Sequence, residues 1–192
     1  MSSPNKSQLI HYQYDPLDRL ASHTQLDGLA RQRFYAEDHL VTELQGEEQL
    51  SIMRHEEHLL AQQGRSENGV DTTLLVSDQQ RSVLRTVQKN VQSSFAYTPY
   101  GHSNSEYGLM SLLGFTGQRA DPVTGHYLLG NGYRSFNPVL MRFNSPDSLS
   151  PFGKGGLNAY CYCGGDPTNR IDPTGHFFGS VGRFFKRLVK GF

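Results

Sequence analysis

The chain has few of the residues that build disulfide-rich, tryptophan-rich or membrane-spanning proteins. Its 192 residues include two cysteines and no tryptophan, and no apolar stretch approaches the roughly 20 residues of a membrane-spanning helix. Cys161 and Cys163 are too few for a disulfide framework, and a bridge across one intervening residue would be strained. We interpret them as small buried hydrophobic residues. A metal site would need two further ligands, so we expect no metal and no other cofactor.

The beginning of the chain has no secretory signal. Residues 1–15 lack the positively charged start and the continuous apolar run of a signal peptide. We therefore expect a protein that is cytoplasmic as synthesised, or one that is secreted by a route independent of a signal peptide.

Net charge is also absent, because 18 basic residues balance 18 acidic ones. This balance gives no steering toward nucleic acid, and we expect no nucleic-acid partner. The neutrality hides an asymmetry, since residues 177–192 carry +4 and residues 1–176 carry −4.

Familiar catalytic signatures are missing as well. The sequence has no glycine-rich phosphate loop followed by Lys-Ser/Thr and no serine nucleophile elbow. The histidines of His55-Glu56-Glu57-His58 are three residues apart, whereas a helical zinc-protease motif needs them four apart. We interpret these four residues as the polar tip of a hairpin.

What the sequence does contain is a recurring hairpin pattern. An alternating apolar run, an acidic turn and a second alternating run recur at Tyr12–Thr24, Arg33–Leu44, Ile52–Gln62 and Thr73–Val87. The turn acids are Asp15, Asp38, Glu57 and Asp78, spaced by 23, 19 and 21 residues. A lone hairpin is marginally stable, so several must lie side by side. The pattern predicts a curved antiparallel sheet from about Tyr12 to Tyr100.

Two segments of this region are ambiguous. Glu47–Gln63 would suit a helix in isolation, but the hairpin pattern on both sides favours strand–turn–strand. Gly64–Thr72 is rich in turn formers and predicts a flexible loop.

From Phe95 onward the chain is dense in glycine, proline and aromatic residues, and here a resemblance emerges. Residues 95–176 resemble the RHS repeat-associated core domain, and the hairpins of Tyr12–Val87 resemble the YD repeats that precede it. The matching motifs are Tyr97-x-Pro99-Tyr100-Gly101, Phe115-x-Gly117, Asp121-Pro122-x-x-Gly125, Tyr127, Tyr133, Asn137-Pro138, Arg142-Phe143, Ser145-Pro146-Asp147, Leu157-Asn158-x-Tyr160, Asp166-Pro167-x-Asn169-Arg170 and Asp172-Pro173-x-Gly175.

The resemblance implies mainly β structure and a link to bacterial toxins. In long members of the family the repeats spiral into a hollow shell around a C-terminal toxic payload, and the core domain plugs one end. Those members include polymorphic toxins and the C subunits of insecticidal toxin complexes. This chain is far shorter, so four or five hairpins predict a partial shell, with a larger toxin shell or other chains as expected partners.

In several family members the core is an aspartic self-protease that cuts after an Asp-Pro-x-Gly-Leu motif. The resemblance therefore implies Asp147 and Asp172 as catalytic carboxylates, one holding a proton and one activating water. Arg142 is the expected charge partner of Asp147, and the cleavage junction is His176–Phe177. His176 stands where the family pattern has leucine. The alternative is that both aspartates cap turns, as we expect of Asp121 and Asp166, while His102 and His126 are framework residues.

The C-terminal residues sort onto two faces when they are placed on a helical wheel. The apolar face holds Phe177, Phe178, Val181, Phe184, Phe185, Leu188, Val189 and Phe192, and the polar face holds Arg183, Lys186, Arg187 and Lys190. This pattern predicts a short amphipathic helix. It could contact an anionic membrane, pack on the core or a partner, or begin a payload domain.

Together these observations predict three parts: YD-repeat-like hairpins over residues 1–94, a core domain over 95–176, and a cationic amphipathic segment over 177–192. Within the core domain, a Gly/Pro-rich β cap from Phe115 to His176 should close one end. The favoured function is a small toxin-associated scaffold that presents this segment without multiple-turnover catalysis. The alternatives are a self-cleaving aspartic-type protease cutting at His176–Phe177, and a membrane-active helix carried on an inert scaffold.

Overall fold

The computed structural model of the protein describes residues 10–25, 28–103, 111–176 and 179–180. Nine strands form one open antiparallel sheet in which each strand pairs with the next in sequence. They are β1 (Ile10–Tyr14), β2 (Leu20–Gln25), β3 (Arg31–Ala36), β4 (His39–Gln45), β5 (Glu48–His55), β6 (His58–Ser66), β7 (Gly69–Ser77), β8 (Val83–Gln88) and β9 (Val91–Ser94). The mainly β fold and the hairpin meander are therefore confirmed.

The acidic residues of the repeat lie in turns between the strands, as the pattern predicts. Asp15 lies between β1 and β2, and its Oδ1 accepts hydrogen bonds from the backbone N–H groups of Leu17 (2.8 Å) and Arg19 (2.9 Å). Asp78 does the same between β7 and β8, where its Oδ1 accepts the N–H of Ser82 at 2.7 Å. These carboxylates satisfy backbone donors that a tight turn leaves unpaired. Asp38 lies in the turn between β3 and β4, and Glu57 lies in the turn between β5 and β6.

The two ambiguous segments both belong to the sheet. Glu47–Gln63 forms strand, turn and strand, because β5 pairs antiparallel with β6 from Gln49↔Arg65 to His55↔His58. The flexible loop predicted for Gly64–Thr72 is wrong. The pairing continues through this segment to Ser66↔Gly69, so the Asn68-Gly69 pair marks a tight hairpin turn. Gly69 has φ +119°, a conformation that favours glycine.

One face of the sheet is covered by residues 111–121, which run across the strands. Asp121 accepts a hydrogen bond from the hydroxyl of Tyr12 on β1 (3.0 Å), and the N–H of Leu112 donates to Gln62 on β6 (2.8 Å). Apolar contacts add to these bonds through the buried cluster Leu40, Ile52, Leu59, Leu75, Val83, Phe95, Leu112 and Leu113. The sheet and the chain after Ser94 thus share one core.

The described residues that follow form short strands around aromatic side chains. β10 (Tyr127–Leu129), β11 (Arg134–Asn137) and β12 (Arg142–Phe143) form a three-stranded sheet. Single 3-10 turns lie at Phe115–Gly117, Gly130–Gly132 and Cys163–Gly165. The buried cluster here contains Phe115, Tyr127, Leu129, Phe136, Phe143, Tyr162 and Cys163. Stacking of Phe136 on Tyr162, with centroids 4.1 Å apart, centres this cluster.

The last described residues correct part of the C-terminal prediction. Gly179–Ser180 forms strand β14, which pairs with β13 (Arg170–Ile171) through Arg170↔Ser180 and Ile171↔Gly179. A helix beginning at Phe177 is therefore wrong at these two positions, because their backbone is extended and bonded to the core. Phe177, Phe178 and residues 181–192, with all four cations of the segment, lie outside the described residues. In the part of the chain that is described, no helix has the length and apolar character to cross a membrane.

The alternation along β6 gives a direct test of the sheet. Leu59 is 3% exposed and its neighbour Leu60 is 50% exposed, because successive strand residues face opposite sides. We expect Leu59→Ala to lower the free energy of unfolding by about 2–4 kcal/mol and Leu60→Ala to lower it by less than about 1 kcal/mol. Urea denaturation of the two variants measures both values. Equal losses would contradict the strand assignment.

Candidate functional site

Asp147 and Asp172 are buried turn residues, 5% and 4% exposed. Asp147 lies in the turn after β12, where its N–H donates to the carbonyl of Ala159 (2.9 Å) and its Oδ1 accepts the N–H of Leu149 (3.0 Å). Asp172 directly follows β13, and its Oδ1 accepts a hydrogen bond from the hydroxyl of Thr174 at 3.4 Å. Each carboxylate thus caps its own turn through Oδ1, whereas its Oδ2 faces a residue outside that turn.

Those second oxygens meet at Arg134, the first residue of β11. Arg134 Nη2 lies 3.1 Å from Asp147 Oδ2 and 3.8 Å from Asp172 Oδ2, and all three side chains are no more than 3% exposed. The guanidinium also lies over the ring of Phe143, 3.6 Å from the centroid, which is close enough for a cation–π interaction. The structure therefore brings the two predicted aspartates together around one buried cation.

The same guanidinium holds the chain just before the predicted cleavage junction. Arg134 Nε donates a short hydrogen bond to the carbonyl of Gly175, and Nη1 donates to the carbonyl of Ala159 at 3.0 Å. The N–H of Gly130 donates to the carbonyl of Pro173 at 3.1 Å. Gly130 has φ +61° and its Cα faces the carbonyl of Thr174 so closely that a Cβ would not fit. Residues 173–175 are thus fixed on the core.

His176 is held against the same cluster. Its Nδ1 lies 3.4 Å from Asp147 Oδ1, and its ring stacks on Tyr133 with centroids 3.8 Å apart. The histidine that replaces the family's leucine therefore makes an aromatic and a polar contact of its own. Phe177, the other side of the junction, lies outside the described residues.

Burial raises the pKa of Asp172 from its ordinary value of 3.8 to about 6. The charge of Arg134 and the hydrogen bonds from Gly175 and Thr174 oppose this rise, while the charge of Asp147 adds to it. Burial lowers the pKa of Arg134, and the two aspartates act against that change. One cation cannot neutralise two carboxylates, so the cluster becomes neutral when Asp172 holds a proton.

This arrangement matches what a carboxylate pair needs for acid–base chemistry. Near pH 6 Asp172 can hold a proton to donate, and the second carboxyl group, that of Asp147, lies on the same cation. The backbone that lies beside them belongs to Gly175 and His176 of the same chain. The chemistry within reach of the described site is therefore chemistry on the chain itself.

The expectation for Arg142 is corrected. Its side chain is exposed and lies near the ring of Tyr160, 5.9 Å from the centroid, whereas the cation at Asp147 is Arg134. Strand alternation could have identified Arg134 as a buried residue. It lies two residues before Phe136, so both side chains are on the same, inward face of β11. Tyr133 was identified in the sequence as a motif residue but not as a site residue, and in the structure its ring stacks on His176.

The other aspartates of the Asp-Pro motifs lie in turns, as expected. Asp121 Oδ1 accepts the N–H groups of Val123 (3.0 Å) and Thr124 (2.8 Å). Asp166 accepts the side-chain amide of Asn169 at 3.0 Å. The described residues contain no cluster of three or more histidine, cysteine, aspartate or glutamate side chains suited to a metal ion.

Replacing Arg134 should be far more damaging than replacing Arg142. We expect Arg134→Met to lower the free energy of unfolding by about 3–5 kcal/mol, because it leaves two buried carboxylates without their cation. The control Arg142→Met should cost less than about 1 kcal/mol, since that side chain is exposed. Urea denaturation at pH 7.5 measures both losses. A similar cost for the two variants would contradict the assignment of Arg134 as the cation shared by Asp147 and Asp172.

The pKa of Asp172 gives the protein a pH-dependent stability. Because the folded pKa of about 6 exceeds the ordinary value of 3.8, this residue contributes stability at low pH that is lost as pH rises through 6. Relative to Asp172→Asn, the natural protein should gain about 1 kcal/mol of unfolding free energy between pH 7.5 and pH 5. Denaturation at both pH values measures the difference. Asp166→Asn, in an equivalent Asp-Pro turn, is the control, and the same change there would argue against Asp172.

Comparison with known proteins identifies this architecture. Residues 2–155 match the family model of the Teneurin YD-shell. A Tc holotoxin pore of Photorhabdus luminescens carrying a TccC3 mutation is similar over 91% of this chain and 9% of that chain, with TM-score 0.64 and 19% identity. A TcdB2-TccC3-TEV structure is similar over the same shares, with TM-score 0.69 and 17% identity. A search of curated proteins found no match.

The present chain spans about a tenth of the length of these solved chains. At such low identity they establish the shared fold, while the family match covers most of the present sequence. The protein therefore belongs to the Teneurin YD-shell family, a shell of the RHS and YD-repeat type.

Proposed function

We propose that the chain is a YD-shell scaffold that presents its C-terminal segment, residues 177–192, from a core that pairs with Gly179 and Ser180, without multiple-turnover catalysis. The observation that carries this proposal is the anchoring of the backbone on both sides of position 177. Arg134 binds the carbonyl of Gly175, Tyr133 stacks on His176, and Gly179–Ser180 pairs with β13. A segment released at 177 would still have two residues bonded to the core.

The burial of the carboxylates supports a role without turnover. Asp147 and Asp172 are almost inaccessible to solvent, and the loop Pro173–His176 of the same chain lies against them. An external peptide would have to displace this loop before it could reach either carboxylate. Any reaction on the loop itself could occur only once per chain.

A single self-cleavage is the second candidate, and the geometry around Gly175 favours it. Arg134 polarises the Gly175 carbonyl, which would favour attack by water on its carbon. In this reaction Asp147 would take the proton of the water, and Asp172 would give its proton to the departing nitrogen of His176. The polarised carbonyl belongs to the Gly175–His176 bond, one bond before the junction that the resemblance implies.

We also propose that the sheet continues into a larger assembly. The described sheet is open, with β1 and β9 as its edges, and unpaired edge strands are ready to pair with further strands. The similar solved structures are described as a holotoxin pore and as TcdB2-TccC3. A larger toxin shell is thus the partner class that best suits these edges.

The intact mass of the purified chain distinguishes a scaffold from a self-cleaving protease. We expect the mass of the complete 192-residue chain, 21.6 kDa, to persist during incubation at pH 6, because a rigidly clamped loop reacts slowly. Mass spectrometry under denaturing conditions is the measurement, since it separates fragments that remain associated in the folded state.

Controls identify which carboxylates act if fragments form. A fragment ending at Gly175 or at His176 that disappears in both Asp147→Asn and Asp172→Asn, but persists in Asp166→Asn, would establish self-cleavage. That result would overturn the proposal of a non-catalytic scaffold, and the terminal residue would say which bond is cut.

A further inference from the structure

The buried face of the large sheet carries more positive charge than its acidic residues balance. Glu43 on β4 is contacted by three arginines at once: Arg31 Nη1 (3.2 Å), Arg33 Nε (3.4 Å) and Arg119 Nη2 (3.3 Å). Burial raises the pKa of Glu43, but these cations prevail and the net direction is downward. One ionised glutamate therefore shares its single negative charge among three guanidinium groups.

A small cavity lies beside this cluster. It has a volume of about 40 Å³ and is lined by Arg33, Arg54 and Arg119, together with Tyr35, Asp38 and His39. A water molecule needs roughly 10–15 Å³ of such space, so the cavity could hold a group of a few heavy atoms but no nucleotide. Its walls come from β3 to β5 on one side and from residues 113–131 on the other.

Two of the lining arginines direct unsatisfied donors into this region. Nη2 of Arg33, whose side chain is 3% exposed, is buried without a hydrogen-bond partner in the described part of the chain, whereas its Nε lies within ion-pair distance of Glu43. Nε and Nη1 of Arg54 are likewise buried without a hydrogen-bond partner among the described residues. Buried donors of a charged group are costly to leave unpaired, so three nitrogen atoms, one of Arg33 and two of Arg54, need an acceptor.

The acidic groups nearby do not meet this need. Glu43 is occupied by three arginines, and Glu57 pairs with Arg81 at 2.5 Å. Asp38 lines the cavity but offers one charge to several cations. Burial and the neighbouring Arg81 lower the pKa of Arg54, and the charge of Glu57 opposes this change.

We propose that this cavity is a binding site for a small inorganic oxyanion of the phosphate or sulfate type. Guanidinium groups present forked N–H donors that match tetrahedral oxyanions, and Arg33 and Arg54 supply unpaired donors from two different strands. The anion would bridge the sheet to the segment that carries Arg119. Its role is structural, because it adds negative charge between arginines of the sheet and Arg119, which share the single charge of Glu43.

Thermal unfolding of the full chain with added phosphate tests the site. The protein is first dialysed into chloride buffer at pH 7.5, and phosphate then replaces chloride at constant ionic strength. We expect a saturable rise in Tm, since a ligand that binds only the folded state stabilises it. No rise, or a rise that is the same when chloride is varied alone, would overturn the proposal.

Variants of Arg54 locate the effect. Loss of a charged hydrogen-bond donor should weaken apparent phosphate affinity about tenfold in Arg54→Gln, whereas Arg85→Gln, at an exposed position of β8, should change it less than about twofold. Arg54→Lys keeps the charge without the fork, so it should fold and still bind more weakly. Equal phosphate responses in the Arg54 and Arg85 variants would show that the anion binds elsewhere.

Discussion

The guanidinium of Arg134 is the interaction on which the C-terminal half of the core depends. It is buried against Phe143 and binds Asp147, Asp172 and two backbone carbonyls. These partners come from distant turns, so one side chain fixes how three loops meet. Removing a charge from water is costly, and the cost is recovered only when every donor finds a partner. Each nitrogen of the Arg134 guanidinium donates a hydrogen bond, so the turns close around it.

The large sheet depends in turn on the segment that crosses it. Its covered face includes the buried residues Gln62 and Thr73, and Ser82 is buried directly before β8, so an apolar layer alone could not satisfy these groups. Gln62 accepts the N–H of Leu112, and the hydroxyl of Ser82 accepts the N–H of Thr116 at 3.1 Å. Polar groups of the sheet thus pair with backbone of the core segment. Without the other, the sheet face and the crossing segment would each leave buried polar groups unpaired.

Much of the fold could be predicted from the sequence, because strand alternation and turn chemistry are local properties. The acids at Asp15 and Asp78 mark turns through hydrogen bonds to residues two to four positions away. The Asn68-Gly69 turn also depends on adjacent residues, but the polar residues around it favoured the prediction of a flexible loop. Arg134 was harder to foresee, since its partners lie 13 and 38 residues further along the chain. The resemblance predicted that Asp147 and Asp172 lie close together, but it did not predict that Arg134 is the cation between them.

Strand β14 changes how the C-terminal boundary is understood. Composition changes sharply after His176, which favours a separate segment, but Gly179 and Ser180 pair with β13. Backbone hydrogen bonds do not depend on side-chain charge, so a change in composition need not coincide with the end of a sheet. The cationic segment, residues 177–192, therefore contributes strand β14 to a two-stranded sheet whose other strand, β13, belongs to the core.

The two buried charge clusters differ in how each can reach neutrality. At the C-terminal cluster the excess is acidic, and Asp172 can remove it by keeping a proton, as its raised pKa indicates. At the sheet the excess is basic, and arginine does not lose its proton in proteins. That cluster cannot be neutralised by protonation, so compensation must come from another negative group. An excess of buried acid makes a fold sensitive to pH, whereas an excess of buried arginine makes it sensitive to anions.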